Sequence, residues 1–196
     1  MSRRPTRREL VAGAAAAAAL GFGSESSALA DAPVPSDAEL LSKTLAVERL
    51  MVLAYERVLA SGALSAGVQR VITPFLDHER AHLSAIAAAL ARLGAPASAA
   101  PLSLKDASDA LSQHNVSGSL TDLHTEHECL KLLVDLESIA EGASYTPTRD
   151  LRHQDLVRLC AQIMACEAQH WTVLSGLRNP GEYVKAIPWP YVFGNK

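Results

Sequence analysis

The sequence predicts an all-α protein, an antiparallel four-helix bundle with one long crossover between helices two and three. Three observations carry that expectation. Ala, Leu, Glu and Arg are abundant in a 196-residue chain with only 5% aromatic residues, a composition that favours helices over sheets. Apolar residues recur at alternating steps of three and four in four separate stretches, the repeat of a single helix face. The connections between those stretches run short, long, short, which makes two hairpins joined by a crossover.

Residues 1–30 are expected to be an export signal outside the bundle. Arg3, Arg4, Arg7 and Arg8 give a basic start, residues 10–22 a weakly apolar Ala-rich run, and Ala28-Leu29-Ala30 a cleavage site before Asp31. The run is shorter than the roughly 20 residues of a permanent membrane span. Thr6-Arg7-Arg8-Glu9-Leu10-Val11 resembles a twin-arginine signal; a general secretory signal is the alternative. Such a protein would be periplasmic, cell-envelope or extracellular, with no membrane span once the signal is removed. Taking four arginines and two glutamates from the net charge of −3 leaves −5. That balance gives no reason to expect nucleic acid or an anionic membrane as partner.

Helix one is expected over residues 37–61, with Leu41, Leu45, Val52, Tyr55 and Leu59 on its stripe, Ser36 or Asp37 as cap and Gly62 as stop. Helix two, residues 64–93, carries Val68, Ile72, Phe75, Ile86 and Leu93; Pro74 predicts a kink and Gly94 with Pro96 the end. Residues 95–118, rich in Ala, Ser and Pro, form the crossover, with a short helix near 105–111. Helix three is expected over 119–145 with Leu123, Leu130, Val134 and Ala140, and a loop around Pro147 follows. Helix four is expected over 150–177 with Leu156, Ile163, Leu174 and Leu177. Residues 178–196 are a tail with Tyr183, Trp189, Tyr191 and Phe193, either a strap on the bundle or a partner-binding segment.

The informative residues are polar ones on these apolar stripes: Glu48 in helix one, Glu79 and His82 in helix two, Glu137 in helix three, Glu167 and His170 in helix four. An ionised carboxylate in an apolar core costs several kcal/mol unless paired, and several facing one axis repel one another. No Lys or Arg shares their stripes. Two divalent cations would balance the four carboxylates. Glu79-Arg80-Ala81-His82 and Glu167-Ala168-Gln169-His170 are both Glu-x-x-His, a spacing that projects both side chains toward the same neighbour. One Glu from each of two helices plus Glu-x-x-His from each of the others is the pattern of dinuclear carboxylate sites.

The pattern repeats within the chain, since Glu48 to Glu79 is 31 residues and Glu137 to Glu167 is 30. The midpoint of the first pair falls at the turn near Gly62, but that of the second falls near Arg152, past Pro147. With Glu141 and Glu128 also nearby, Glu137 is the least firmly placed of the six. Tyr55 and Tyr145 are either hydrogen-bond donors to these carboxylates or packing residues. His78, His114, His124, His127 and His153 read as surface or loop histidines. No disulfide is expected, because Cys129 lies too far along the bundle from Cys160 and Cys166, and those two, six apart on one helix, point different ways.

The segments Ala46-Val47-Glu48-Arg49-Leu50, His78-Glu79-Arg80-Ala81-His82-Leu83, Leu136-Glu137-Ser138-Ile139-Ala140 and Cys166-Glu167-Ala168-Gln169-His170-Trp171 resemble the ferritin-like superfamily. The likeness is to its small exported bacterial members and spans about residues 37–177. The resemblance implies a dinuclear iron or manganese site held by Glu48, Glu79, His82, Glu137, Glu167 and His170, with Glu79 and Glu167 bridging. It implies chemistry of Fe(II) with O₂ or peroxide, and leaves a homo-oligomer open. Fold alone does not establish an enzyme. A non-catalytic metal-binding protein or a stress-protective bundle is the other expectation.

Overall fold

A computed structural model describes residues 35–186. The expected export signal at residues 1–30, the start at Asp31 and the tail from residue 187 onward lie outside the described residues. Five α-helices follow in order: α1 Asp37–Ala60, α2 Ala66–Arg92, α3 Leu104–Gln113, α4 Glu126–Asp150 and α5 Gln154–Arg178, then a 3-10 turn at Tyr183–Ala186. No strand occurs among the described residues. Helix α1 packs on α2 and α4, and α5 packs on α4 and α2, so the four long helices close a ring. The short α3, in the crossover, lies on α1 through Ala107 and Leu111. No described helix is long and apolar enough to cross a membrane.

The helix ends follow local chemistry. Ser36 with Glu39 and Thr125 with Glu128 form capping boxes at the starts of α1 and α4. Gly62, at φ +72°, turns the chain after α1 in the left-handed region where a Cβ is costly. Gly94, at φ +69°, ends α2, and the Ala95 amide bonds back to the Leu90 carbonyl at 3.0 Å.

Two boundaries differ from the expected ones. The third long helix begins at Glu126 rather than 119, because Ser119 Oγ accepts from the Thr121 and Asp122 amides and holds a turn there. It also continues through Pro147 to Asp150. Proline has no N–H to give the carbonyl one turn back. Here that carbonyl, of Ala143, instead accepts from Thr44 Oγ1 of α1 at 3.1 Å. The turn into α5 therefore falls at residues 151–153, on the midpoint between Glu137 and Glu167. Helix α2 likewise runs unbroken through Pro74.

A reciprocal tie joins the hairpins. Asp37, at the first position of α1, accepts from the Arg152 and His153 amides at 3.1 and 3.2 Å, capping α5, whose own N-cap residue His153 supplies no side-chain cap bond. Glu126, at the first position of α4, accepts from the Ser65 amide, at the start of α2, at 2.6 Å. Each hairpin's leading helix thus holds the other hairpin's turn.

The core is two apolar blocks. One includes Leu41, Leu45, Ile86, Leu90, Leu156, Cys160 and Ile163. The other includes Met51, Tyr55, Ile72, Leu76, Leu130, Leu133, Leu136 and Leu174. Each fully buried Leu or Ile contributes about 1.5–3 kcal/mol. Helices α1, α2 and α5 pass from one block to the other with a buried glutamate near the crossing, whereas α4 carries Glu137 between Leu136 and Ile139 of the second block and meets the first only through its C-cap, Leu151. Of the expected stripe residues, Leu93 falls at the surface, 36% exposed.

Candidate metal centre

Glu48, Glu79, Glu137 and Glu167 are each 0% exposed, and His170 is 2% exposed. His82 is the opening of the site, its side chain 12% exposed. All six residues expected from the sequence come together. They form two groups of four: Glu48, Glu79, His82 and Glu167, and Glu79, Glu137, Glu167 and His170. One donor atom from each member lies within 4.8 Å of the others, so each group is compact enough to hold a cation. Glu79 and Glu167 belong to both.

Charge makes this layer unstable alone. No described Lys or Arg pairs with it: Arg80 spends its guanidinium on Glu56 at 3.0 Å and on Asp77, and Arg49 on the Ala100 carbonyl at 2.7 Å. His82 Nδ1 lies 2.9 Å from Glu167 Oε1, 3.7 Å from Glu79 and 3.8 Å from Glu48. His170 Nδ1 lies 3.1 Å from Glu79, 3.3 Å from Glu167 and 3.4 Å from Glu137. None of these contacts is aligned as a hydrogen bond. Both oxygens of Glu48, Glu79 and Glu167, together with His82 Nδ1 and His170 Nδ1, are buried with no hydrogen-bond partner among the described residues. Orphaned lone pairs converging on two points are what a cation satisfies and a proton network does not. The residues fit metal ions.

Without a cation, protons take up the imbalance. Burial, then the charges of Glu167 and Glu79, raises Glu48 well above the ordinary carboxylate range. Burial and Glu167 do the same to Glu137. Burial would lower His82, but Cys166, Glu167 and Glu79 beside it outweigh that and push it up to about 12. His170 is raised too, against its burial, by Cys166, Glu137, Glu167 and Glu79. Burial would raise Glu167, yet His170 and His82 hold it down at about 2.

The surroundings resolve what the sequence left open. Glu137, not Glu141 or Glu128, joins the site: Glu141 is only half-buried and Glu128 closes the α4 capping box. Tyr55, 0% exposed, donates its hydroxyl to Glu137 Oε1 in a short bond. Tyr145 makes no hydrogen bond to the site. Phe75 stacks on the His170 ring with centroids 4.1 Å apart, fixing its plane. The three cysteines are free thiols, as expected from their spacing.

Two residues near the site were not among the expected ones. His78 Nδ1 lies 2.9 Å from His170 Nε2, and Cys166 Sγ lies 3.5 Å from the same nitrogen. His170 and His82 hold the Cys166 thiol down at about 7. The available signal was positional: His78 and Cys166 each immediately precede the Glu of a Glu-x-x-His, 88 residues apart.

A ring of four antiparallel helices with a buried layer of glutamates and histidines defines a ferritin-like bundle, with carboxylate and histidine groups suited to metal ions. The family model described as a ferritin-like domain matches residues 36–180, and the chain belongs to that family. No curated protein and no solved structure matches the chain.

Proposed function

We propose that Glu48, Glu79, His82, Glu137, Glu167 and His170 hold two metal ions, iron or manganese, and that the protein reacts Fe(II) with O₂ or peroxide outside the cytoplasm. The observation that carries this reading is the pair of four-residue groups sharing Glu79 and Glu167, with their donor atoms otherwise orphaned. Four carboxylates balance two divalent ions, and mixed oxygen and imidazole donors suit iron and manganese. Glu79 and Glu167 would bridge. Glu48 with His82 would complete one end, and Glu137 with His170 the other.

When bound, such ions supply one-electron chemistry toward O₂ or peroxide. The chain's own residues do the positioning. Tyr55 orients Glu137, Phe75 clamps the His170 ring, and the two apolar blocks exclude water on either side. His82, the one partly exposed member, stands where small reactants would enter. The arginine pair Arg7-Arg8 and the Ala28-Leu29-Ala30 site support export of the folded protein by a twin-arginine route.

Elemental analysis of the natively produced protein, with an optical spectrum in air, tests the reading. About two metal ions per chain and an absorption band of oxo-bridged iron are expected. Glu79→Ala should abolish stoichiometric uptake, and an unchanged metal content in that variant would refute the bridging assignment. Protein that carries metal but consumes neither Fe(II) nor peroxide would be a non-catalytic binder. Protein with no metal, and no loss of thermal stability on chelation, would be a stress-protective bundle.

A further inference from the structure

His170 presents its two ring nitrogens to two different surroundings. Nδ1 faces the carboxylates. Nε2 faces outward, to His78 Nδ1 at 2.9 Å and Cys166 Sγ at 3.5 Å. The third edge of that triangle, Cys166 Sγ to His78 Nδ1, is 3.8 Å. These three atoms form a group of metal-donor type with no carboxylate in it.

We propose that His78, Cys166 and His170 form a separate site for one soft or borderline cation, Zn²⁺ or Cu⁺, at the seam between α2 and α5. The two nitrogen–sulfur distances match such an ion, and the nitrogens of His78 and His170, now at hydrogen-bond distance, must open by about 0.4 Å to take it. With metal–nitrogen bonds of about 2.0–2.1 Å and a metal–sulfur bond of about 2.3 Å, a tetrahedral ion sets nitrogens about 3.3 Å apart and nitrogen from sulfur about 3.6 Å. The donor set is also distinct. Thiolate and imidazole select Zn²⁺ and Cu⁺, whereas the carboxylate-rich groups select harder ions. His78 is exposed and Cys166 partly so, which leaves the fourth position to water. His82, one turn from His78, does not join this group, since neither of its nitrogens lies within reach of all three donor atoms.

On binding, Cys166 gives its sulfur as thiolate and His170 binds through the Nε2 lone pair while keeping its proton on Nδ1; the thiol proton and any proton on Nε2 leave to solvent. A neutral imidazole has one lone pair to give. His170 therefore serves either this site or the carboxylate centre, and a soft cation here withdraws a ligand from that centre. This last consequence rests on the proposed function above; the site itself does not.

Anaerobic titration of the metal-free, reduced protein with Co²⁺ tests the site, since Co²⁺ on a thiolate gives a charge-transfer band that carboxylate-bound Co²⁺ lacks. The wild type should show the band, Cys166→Ser should lose it, and His78→Ala should weaken the binding that produces it by at least about tenfold. Independently of any variant, one equivalent of Zn²⁺ should slow alkylation of Cys166, the one cysteine that is not buried, and a chelator should restore the rate. Normal uptake of two iron ions with no thiolate band overturns this site and leaves the proposed function standing. A thiolate band without carboxylate-bound metal does the reverse. A band surviving Cys166→Ser, or alkylation indifferent to Zn²⁺, also overturns it.

Discussion

Glu48, Glu79 and His82 in the first hairpin match Glu137, Glu167 and His170 in the second, yet the two sets are supported differently. The Glu137 carboxylate takes a hydrogen bond from Tyr55, seven residues after Glu48. The residue seven after Glu137 is Ser144, and neither Glu48 oxygen has a hydrogen-bond partner among the described residues. His170 is 2% exposed, with Phe75 stacked on its ring and His78 at its Nε2 edge, whereas His82 is 12% exposed. Equal spacing brings equal donors to one layer, but it does not give them equal neighbours. The Glu137 and His170 end is held before any ion arrives; the Glu48 and His82 end is looser and nearer solvent.

The largest expected effect comes from emptying both ends together, which leaves the layer to be neutralised by protons alone. Each ion present at a hundred times its Kd stabilises the fold by about 2.7 kcal/mol, so chelation should lower Tm sharply. The pH slopes should also differ in sign. In the metal-free protein Glu48 and Glu137 keep protons that the unfolded chain has lost above about 4.5, so their contribution falls as pH rises. His82, raised from 6.5 to about 12, stabilises fully below 6.5 and loses that contribution as pH climbs toward 12. Glu167 opposes them only in acid, losing its contribution between 4.5 and about 2. Stability of the metal-free protein should thus decline from about pH 5 to about pH 9. The loaded protein should instead lose stability toward acid, where protons compete with metal. Calorimetry across that range, with and without chelator, reads both slopes; parallel slopes would mean that no cation neutralises the layer.

Next in size is Tyr55→Phe, which strips support from the well-held end alone. Leaving Glu137 Oε1 unpaired in a buried site should cost the metal-free protein about 1–3 kcal/mol. Metal affinity should fall about 10–100-fold, as for other groups that orient a ligand. Denaturant unfolding and a metal titration check the two figures separately. If only stability changes, Tyr55 is a packing residue and the two ends differ less than their geometry says.

How much of this was legible in the sequence depended on how far apart the partners lie. Acidic residues on apolar stripes are a local pattern, so the six clustered residues and the four long helices could be read directly. Pro147 read as a break because its rescue is not local: Thr44, on another helix, supplies the hydrogen bond that Pro147 cannot. The midpoint of Glu137 and Glu167 was the better guide to the turn. Thr125 and Glu128 form a readable capping pattern that counting Leu123 on the apolar stripe obscured. His78 read as a surface histidine and Cys166 only as an unbridged thiol, since His78 meets the His170 nitrogen only when α2 packs on α5.

The reciprocal ties at the hairpin turns extend the comparison away from the metal layer. Asp37 is 7% exposed and accepts two backbone amides, while Glu126 is half-exposed and accepts one. Both carboxyls sit below their ordinary range. Burial would raise Asp37, but His153 and the Arg152 amide outweigh it, and Ser65 lowers Glu126. Both contributions are therefore present above the ordinary carboxyl pKa and fade as pH falls. Asp37→Asn should cost about 1–3 kcal/mol by turning an amide donor toward the Arg152 or His153 amide beside a buried side chain. Glu126→Gln should stay within about 0.5 kcal/mol, as solvent screens the exposed contact. Urea unfolding of the two variants at neutral pH gives the ratio, and equal losses would show that burial does not distinguish the ties.

The smallest effect is expected at Ser144, and it is the sharpest test of inequivalent ends. The side chain is fully buried and its Oγ has no hydrogen-bond partner among the described residues. Such a hydroxyl carries a desolvation cost with no bond in return. Ser144→Ala should leave stability within about 0.5 kcal/mol of wild type, on the side of a slight gain, with metal affinity unchanged. A Ser144→Ala variant that lost metal affinity as Tyr55→Phe does would mean that this hydroxyl turns to Glu48 when ions are bound. Serine would then do for the first hairpin what tyrosine does for the second, and the asymmetry would belong only to the metal-free protein.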